Sequence, residues 1–345
     1  MKYLVTGGSG FIGRSLVRSL LTAGHQVRVY DNDSRGCQAR LGNLLDNPNL
    51  ELIRGDIRNE DDVAAACQGI DSVLHLAYIN GTEFFYDKPE LILDVGVRGM
   101  LAVISGCRKA GVRELVTMSS SEVYQTPPRI PTDENVPLVV PDVHNPRYSY
   151  GGGKIISELM TINFGRNGFN RVMIVRPHNV YGPDMGKEHV IPQLTLRLTK
   201  MMQCPNHQEA VVSDKQIDFL IQGNGRQTRS FVYIDDFIFG MMKVLQYGKH
   251  LEIYHIGTTE EVPIRDVALE IAATFNVRIN LKFSQEPWGS VQRRCPNIDK
   301  VSALGFIPKV SIKEGIRQTS LWYYKNYSQL INHEAEKADE DKKLF

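Results

Sequence analysis

The sequence predicts a doubly wound α/β fold followed by a smaller C-terminal domain, and three observations predict it. Short apolar runs alternate with helical periodicity through the first half of the chain, the pattern of parallel strands joined by crossover helices. Three spaced glycines, Gly7, Gly10 and Gly13, separate the first such run from the first amphipathic stretch. Polar residues recur just past the strand-like runs, where open parallel sheets bind their ligands.

Residues 3–5 form the first strand pattern, and an amphipathic helix pattern runs from the glycines to about Leu21. Glycines between strand and helix permit a tight turn and close approach to a pyrophosphate. The helix N-terminus offers free N–H groups to phosphate. These features make the domain a Rossmann-type dinucleotide site. A second strand, 26–30, ends at Asp31-Asn32. A carboxylate there, about twenty residues past the glycines, suits a ribose diol and repels a 2′-phosphate, so NAD is the expected cofactor. Arg35 nearby keeps the phosphorylated form open, and Asp31 also fits a turn or cap residue. Further strand patterns occur at 51–54, 72–77, 114–118 and 171–176, with helical patterns at 60–66, 91–110 and 150–164. His75, in an alternating apolar strand, reads as a packed side chain rather than a catalytic one. Residues 126–146, rich in Pro and polar groups, read as a loop.

The chain has 345 residues, room for one large or two medium domains. A net charge of +1 gives no basis for binding nucleic acid or an anionic membrane, so any anion site must be local. Cys37, Cys67, Cys107, Cys204 and Cys295 are scattered without metal-ligand spacing, and read as reduced thiols in a cytoplasmic protein with no metal. No apolar run reaches transmembrane length, and the first residues enter a strand without a signal-peptide pattern. The charged stretch 331–345 reads as a frayed tail.

Tyr150 and Lys154 sit four apart at the start of a predicted helix, hence on one face. An ammonium beside a phenol favours the phenolate, which suits a base that takes a proton from a hydroxyl.

Several motifs now agree, and the chain resembles the extended short-chain dehydrogenase/reductase family, specifically its nucleotide-sugar epimerases and dehydratases of the UDP-glucose 4-epimerase type. The carriers are TGGSGFIG from Thr6, GDIRNED from Gly55, HLAY from His75 and SSSEVY from Ser119. YGGGK from Tyr150, RPHNVYGP from Arg176 and RSFVYIDD from Arg229 complete the set. The resemblance implies NAD across the sheet, held by Gly7, Gly10, Phe11, Ile12, Gly13, Asp31, Asn32, Asp56, Ile57, Leu76, Ala77, Tyr78, Tyr150, Lys154 and Pro177. It implies a nucleotide diphosphate-sugar as substrate, with Tyr150 as base, Lys154 as its partner on the nicotinamide ribose, and Ser120 on the 4-hydroxyl. Ser121, Asn179, His189, Val190, Gln222, Arg229, Arg293 and Arg294 are the other substrate residues it implies, the arginines facing the diphosphate. It also implies a homodimer through helices at 91–110 and 150–164. The implied domains are 1–178 with 230–256 for NAD, and 179–229 with 257–330 for substrate.

C4 oxidation gives a 4-keto sugar, and the relatives differ in the fate of that ketone. Return of hydride to the other face makes a 4-epimerase, the leading expectation, favoured by Ser120 where the alternatives usually have Thr. Glu122 keeps a 4,6-dehydratase or a glucuronate-type decarboxylase open, since those place a Glu there. A nucleotide-sugar dehydrogenase or reductase is a further alternative, and an idle sugar-nucleotide sensor a last one. The chain departs from relatives at Tyr78, where a small residue is usual, at Gly96 for Asn, and at Gln125 for Gly. Gly151, Gly152 and Gly153 are unusual inside a helix, and close approach of backbone to cofactor or substrate is the expected reason. Residues 203–216 read as an insertion, 217–222 as a strand lining the nucleotide base, and Gly223-Asn224-Gly225 as a hairpin turn. Asp235-Asp236 reads as a helix cap.

Overall fold

The structure, a computed structural model, describes residues 1–203, 216–285 and 291–330. The insertion expected near 203–216 and the tail from 331 therefore lie outside the described residues, but for Gln203 and Gln216.

Seven parallel strands form the main sheet: β1 (Lys2–Thr6), β2 (Gln26–Asp31), β3 (Leu50–Arg54), β4 (Ser72–His75), β5 (Glu114–Met118), β6 (Arg171–Pro177) and β7 (Glu252–Ile256). Their order is β7-β6-β5-β4-β1-β2-β3. The central strands are buried almost throughout, which is why they read as unbroken apolar runs. The order reverses between β1 and β4, so a crevice opens past Thr6 and His75, which are register partners. His75 is packed as expected: its Nδ1 lies 2.8 Å from Thr6 Oγ1, and burial lowers its pKa to about 3.

Helices α1 (Phe11–Thr22), α2 (Glu60–Ala66), α3 (Thr82–Asp87), α4 (Pro89–Leu93), α5 (Gly99–Ala110) and α6 (Tyr148–Gly165) fill the crossovers. The single helical pattern at 91–110 resolves into α4, a wide π-type turn at Asp94–Arg98 that contains Gly96, and α5. Helix α3 was not legible, because six residues carry too little periodicity.

The chain divides into two compact units. The first comprises Met1–Val180, Ser230–Glu261 and Arg293–Lys309; the second comprises Tyr181–Arg229, Val262–Gln292 and Val310–Phe345. The segment Arg293–Lys309, expected with the substrate half, packs with the sheet-bearing unit instead. In the second unit, helices Val190–Gln203, Ile264–Thr274 and Ile312–Lys325 pack together, and strand Ile217–Gln222 pairs in parallel with Ile279–Ser284. The expected hairpin does not form. Gly223 and Gly225 both take positive φ (69°), yet they redirect the chain, because strand Ile217–Gln222 is already paired in parallel. Asp235 and Asp236 lie in the first turn of helix Ile234–Tyr247, and Asp236 accepts from Lys309 N at 2.9 Å.

Candidate active site

The glycine loop is built for a dinucleotide. Gly7 takes φ 72°, and a Cβ there would lie 2.8 Å from Ala77 N. A Cβ on Gly13 would lie 2.1 Å from Gly7 O. Phe11 and Ile12 open α1, which begins at Gly10 with no side-chain cap and no acidic residue in its first turn. Its N-terminal N–H groups therefore face no competing carboxylate from its own first turn, which suits a pyrophosphate. Leu76 and Ala77 close the other wall by donating to Thr6 Oγ1, each at 3.2 Å. Asp31 ends β2, and its carboxylate takes Ser9 N and Asp33 N at 2.9 Å each, so it is fixed beside the loop. Burial pushes its pKa up, with the two backbone N–H bonds opposing. Asn32 donates to Asp56 at 3.2 Å. Asp56 is also paired with Arg58 at 2.6 Å, and that guanidinium holds its pKa down at about 2. Ile57 is buried, and Gly99 makes room for its side chain. Pro177 ends β6. These residues fit NAD as a dinucleotide with an unphosphorylated ribose.

The expected chemistry gathers where α6 passes the ends of β5 and β6. Ser120 caps the short turn Ser121–Tyr124, its Oγ accepting from Glu122 N at 3.1 Å. Ser120 lies close enough to the Tyr150 phenol to lower its pKa. Lys154, one turn along α6, donates to Met118 O at 2.8 Å. Burial lowers its pKa to about 7, with Glu158 opposing. The Tyr150 phenol is not lowered, contrary to what its spacing from Lys154 predicts. Burial pushes the Tyr150 phenol above its ordinary range; Ser120 and Arg294 pull it back, and Glu122 adds to the rise. The Lys154 ammonium instead sits 3.7 Å from the centroid of the Tyr78 ring, against 5.8 Å for Tyr150.

Glu122 is not a solvated loop carboxylate. Arg294 Nη1 donates to its Oε1 at 2.5 Å, and the Arg294 side chain is only 6% exposed. Arg294 Nε and Nη2 are buried without partners, as are both ring nitrogens of His178. Arg293, by contrast, is exposed and paired with Glu261 at 2.6 Å, so of the two arginines Arg294 is the one in this cluster. Asn179 adopts φ 42° and donates to Ser230 O at 2.8 Å. Ser121 is buried in its turn.

A buried network beneath the cluster went unread in the sequence. Glu158 pairs with Arg176 through Nε at 2.8 Å and Nη2 at 2.5 Å, and also takes the Ser119 hydroxyl. Arg176 reaches the Tyr124 phenol, which lies 2.6 Å from His255 Nε2. Glu158 stands four residues beyond Lys154 on α6, and that spacing was the available signal.

Two of the three unusual glycines of α6, Gly151 and Gly153, make room for side chains of the chain itself. A Cβ on Gly151 would lie 2.6 Å from Gln125 Nε2 and 3.1 Å from Glu122 O. Gln125 is held there at φ 50°, with Nε2 donating to Glu122 O at 2.6 Å. A Cβ on Gly152 would meet only Val140, at 3.5 Å. Gly153 faces Tyr78.

His189, Val190, Gln222 and Arg229 belong to the second unit. Val190 opens the helix Val190–Gln203, His189 N donates to Gly186 O at 3.3 Å, and Gln222 ends the strand Ile217–Gln222 with its side exposed. Arg229 Nη1 donates to Thr228 O at 2.8 Å. Among the described residues, no group of three His, Cys, Asp or Glu is placed to hold a metal, and no helix is long and apolar enough to cross a membrane.

The fold and this cluster define a dinucleotide-dependent enzyme. The chain belongs to the NAD dependent epimerase/dehydratase family, whose model matches residues 3–257. It is 30% identical over 336 residues to a UDP-glucose 4-epimerase of Mycolicibacterium smegmatis, covering 95% of this chain and 100% of that protein. It is 29% identical over 324 residues to UDP-glucuronic acid decarboxylase 2 of Arabidopsis thaliana, covering 92% of this chain but 66% of that protein. Among solved structures it resembles the dTDP-glucose 4,6-dehydratase DesIV of Streptomyces venezuelae, determined with NAD bound, with a TM-score of 0.81 and 27% identity over 95% of this chain and 98% of that one. The chain is thus a nucleotide-sugar epimerase/dehydratase-type enzyme that uses NAD.

Proposed function

We propose that the chain is an NAD-dependent nucleotide-sugar 4-epimerase working through a transient 4-keto sugar. The supporting observation is Tyr150 and Lys154 buried one turn apart on the same helix, with Ser120 close enough to the phenol to lower its pKa. One base, one hydroxyl and one cation are all the protein groups needed to remove and restore a single hydroxyl proton. NAD, when bound, supplies the hydride acceptor for C4 and the donor on return. Ser120 holds the 4-hydroxyl, Tyr150 takes its proton, and Lys154 steadies the nicotinamide ribose. Burial keeps the Tyr150 phenol protonated in the empty site, and a positive charge brought beside it, such as the nicotinamide ring, would favour the phenolate that its role as base requires. Inversion needs only that the ketosugar turn over before Tyr150 returns the proton. Arg294 and Asn179 contact the diphosphate, and the family resemblance gives His189, Val190, Gln222 and Arg229 of the second unit their substrate roles. The enzyme works as a cytoplasmic homodimer.

One observation favours a second reading, a decarboxylase or 4,6-dehydratase. Glu122 is fixed by Arg294 within the electrostatic reach of Tyr150, in a pair buried on the arginine side and partly exposed on the carboxylate side. Such a carboxylate can take a proton from C5, and the two unpartnered Arg294 N–H groups suit an anionic group at C6.

The test is NMR analysis of the purified protein with UDP-, GDP-, CDP- and dTDP-hexoses and UDP-glucuronate, without added cofactor. A C4-inverted sugar supports the epimerase. A 4-keto-6-deoxy sugar or released carbon dioxide moves the assignment to the second reading. Net growth of NADH absorbance rejects both in favour of a dehydrogenase.

A further inference from the structure

Tyr78 lies just past β4, and it is tied to the site by geometry. Its ring holds Lys154 Nζ 3.7 Å from the centroid and meets the Tyr150 ring edge-on at 5.2 Å and 86°. Phe85 of α3 stacks on Tyr150 at 4.9 Å and 20°. The Tyr78 hydroxyl is buried with no hydrogen-bond partner, so the ring and not the hydroxyl carries its contacts. Two glycines face that hydroxyl. A Cβ on Gly153 would lie 2.2 Å from Tyr78 Oη, and a Cβ on Gly96 2.3 Å from the same atom. Neither glycine takes positive φ, and each weakens its helix relative to alanine, so space for Tyr78 is what they provide. An aromatic face attracts a desolvated ammonium through the ring quadrupole without neutralising it. It can therefore fix the position of Lys154 and leave the donors not given to Met118 O for a ligand.

We propose that Tyr78 is a positioning residue whose ring seats the Lys154 ammonium beside Tyr150, with Gly96 and Gly153 as the room its phenol occupies. The consequence for catalysis rests on the roles given to Lys154 and Tyr150 above, whereas the seat itself is read without any sugar. Protein carrying 13C-labelled lysine shows the seat directly. The Cε–Hε cross-peak of Lys154, identified by its loss in Lys154→Met, is expected upfield of the other lysines through the ring current of Tyr78. Tyr78→Phe retains that shift and Tyr78→Leu abolishes it. NAD affinity falls about tenfold in Tyr78→Leu and by less than about twofold in Tyr78→Phe.

Thermal midpoints test the packing independently. Gly153→Ala lowers the midpoint, and Tyr78→Phe restores it, because the next ring atom, Cζ, lies 3.6 Å from the added carbon. Gly96→Ala is not restored by Tyr78→Phe, since ring carbons at 2.7 Å and 2.8 Å still collide. An unshifted Lys154 peak, a shift that survives Tyr78→Leu, or Gly153→Ala tolerated beside Tyr78 overturns the seat. Unchanged NAD affinity in Tyr78→Leu overturns the positioning role. An intact seat in a protein that converts none of the sugar nucleotides rejects the proposed activity and leaves the seat standing.

Discussion

Tyr150 and Lys154 are two ionisable groups whose charged forms burial opposes. Tyr150→Phe keeps the ring against Tyr78 and Phe85 and removes only the proton acceptor. We expect kcat to fall about 10²–10⁴-fold while NAD affinity and thermal midpoint hold; a variant of undiminished kcat would remove Tyr150 from the chemistry. For Lys154 the sign comes from linkage. Its folded pKa, about 7, lies below its ordinary 10.5, so between these values the unfolded chain binds more protons and stability rises with pH. Glu158 on its own helix, His75 on β4, and the Tyr78 and Tyr150 phenols are the ionisable groups around it. Lys154→Met is expected to flatten that rise, read as urea midpoints across the window; an unchanged slope would assign the rise to other groups.

At the scale of elements, α6 is held to β5 and β6 by charge as well as packing. Glu158 and Arg176 are each under 5% exposed as side chains, and together they anchor the Ser119 hydroxyl and the Tyr124 phenol. Glu158→Gln leaves the Arg176 charge buried without its counter-ion. A loss of about 3–5 kcal/mol in urea unfolding is expected, and a loss below about 1 kcal/mol would mean that the network reorganises around Arg176. Gly151 fixes the other side of the helix. Gly151→Ala is expected to lower the thermal midpoint through collision with the Gln125 amide, and the double change Gln125→Gly/Gly151→Ala to recover it. The bounds of α6 were legible because its apolar pattern spans many turns. The reason for its glycines was not, since Gln125 and Tyr78 meet it from loops distant in sequence.

For the molecule as a whole, apolar side chains remain on the outer faces of α5 and α6: Leu101 is 45% exposed and Leu159 58%. The proposed homodimer would join through these helices. Leu101→Glu with Leu159→Glu is expected to halve the sedimenting mass with the circular dichroism unchanged. Identical mass for the variant and its parent would exclude these helices as the contact.

The family resemblance implied Ser120; the sequence by itself determined the parallel sheet, the dinucleotide loop, Asp31 at the end of β2 and the Tyr150–Lys154 spacing. Each of these is a local pattern: strand and helix periods, a glycine spacing, a four-residue interval. Tertiary structure alone decided that Arg294 and not Arg293 meets Glu122, that Arg293–Lys309 packs with the sheet-bearing unit, and that Lys154 rests on Tyr78. Those outcomes depend on burial and on partners up to 172 residues apart. Burial sets the direction of the Tyr150 shift, because removing a phenolate from water costs more than Ser120 and the Arg294 guanidinium return.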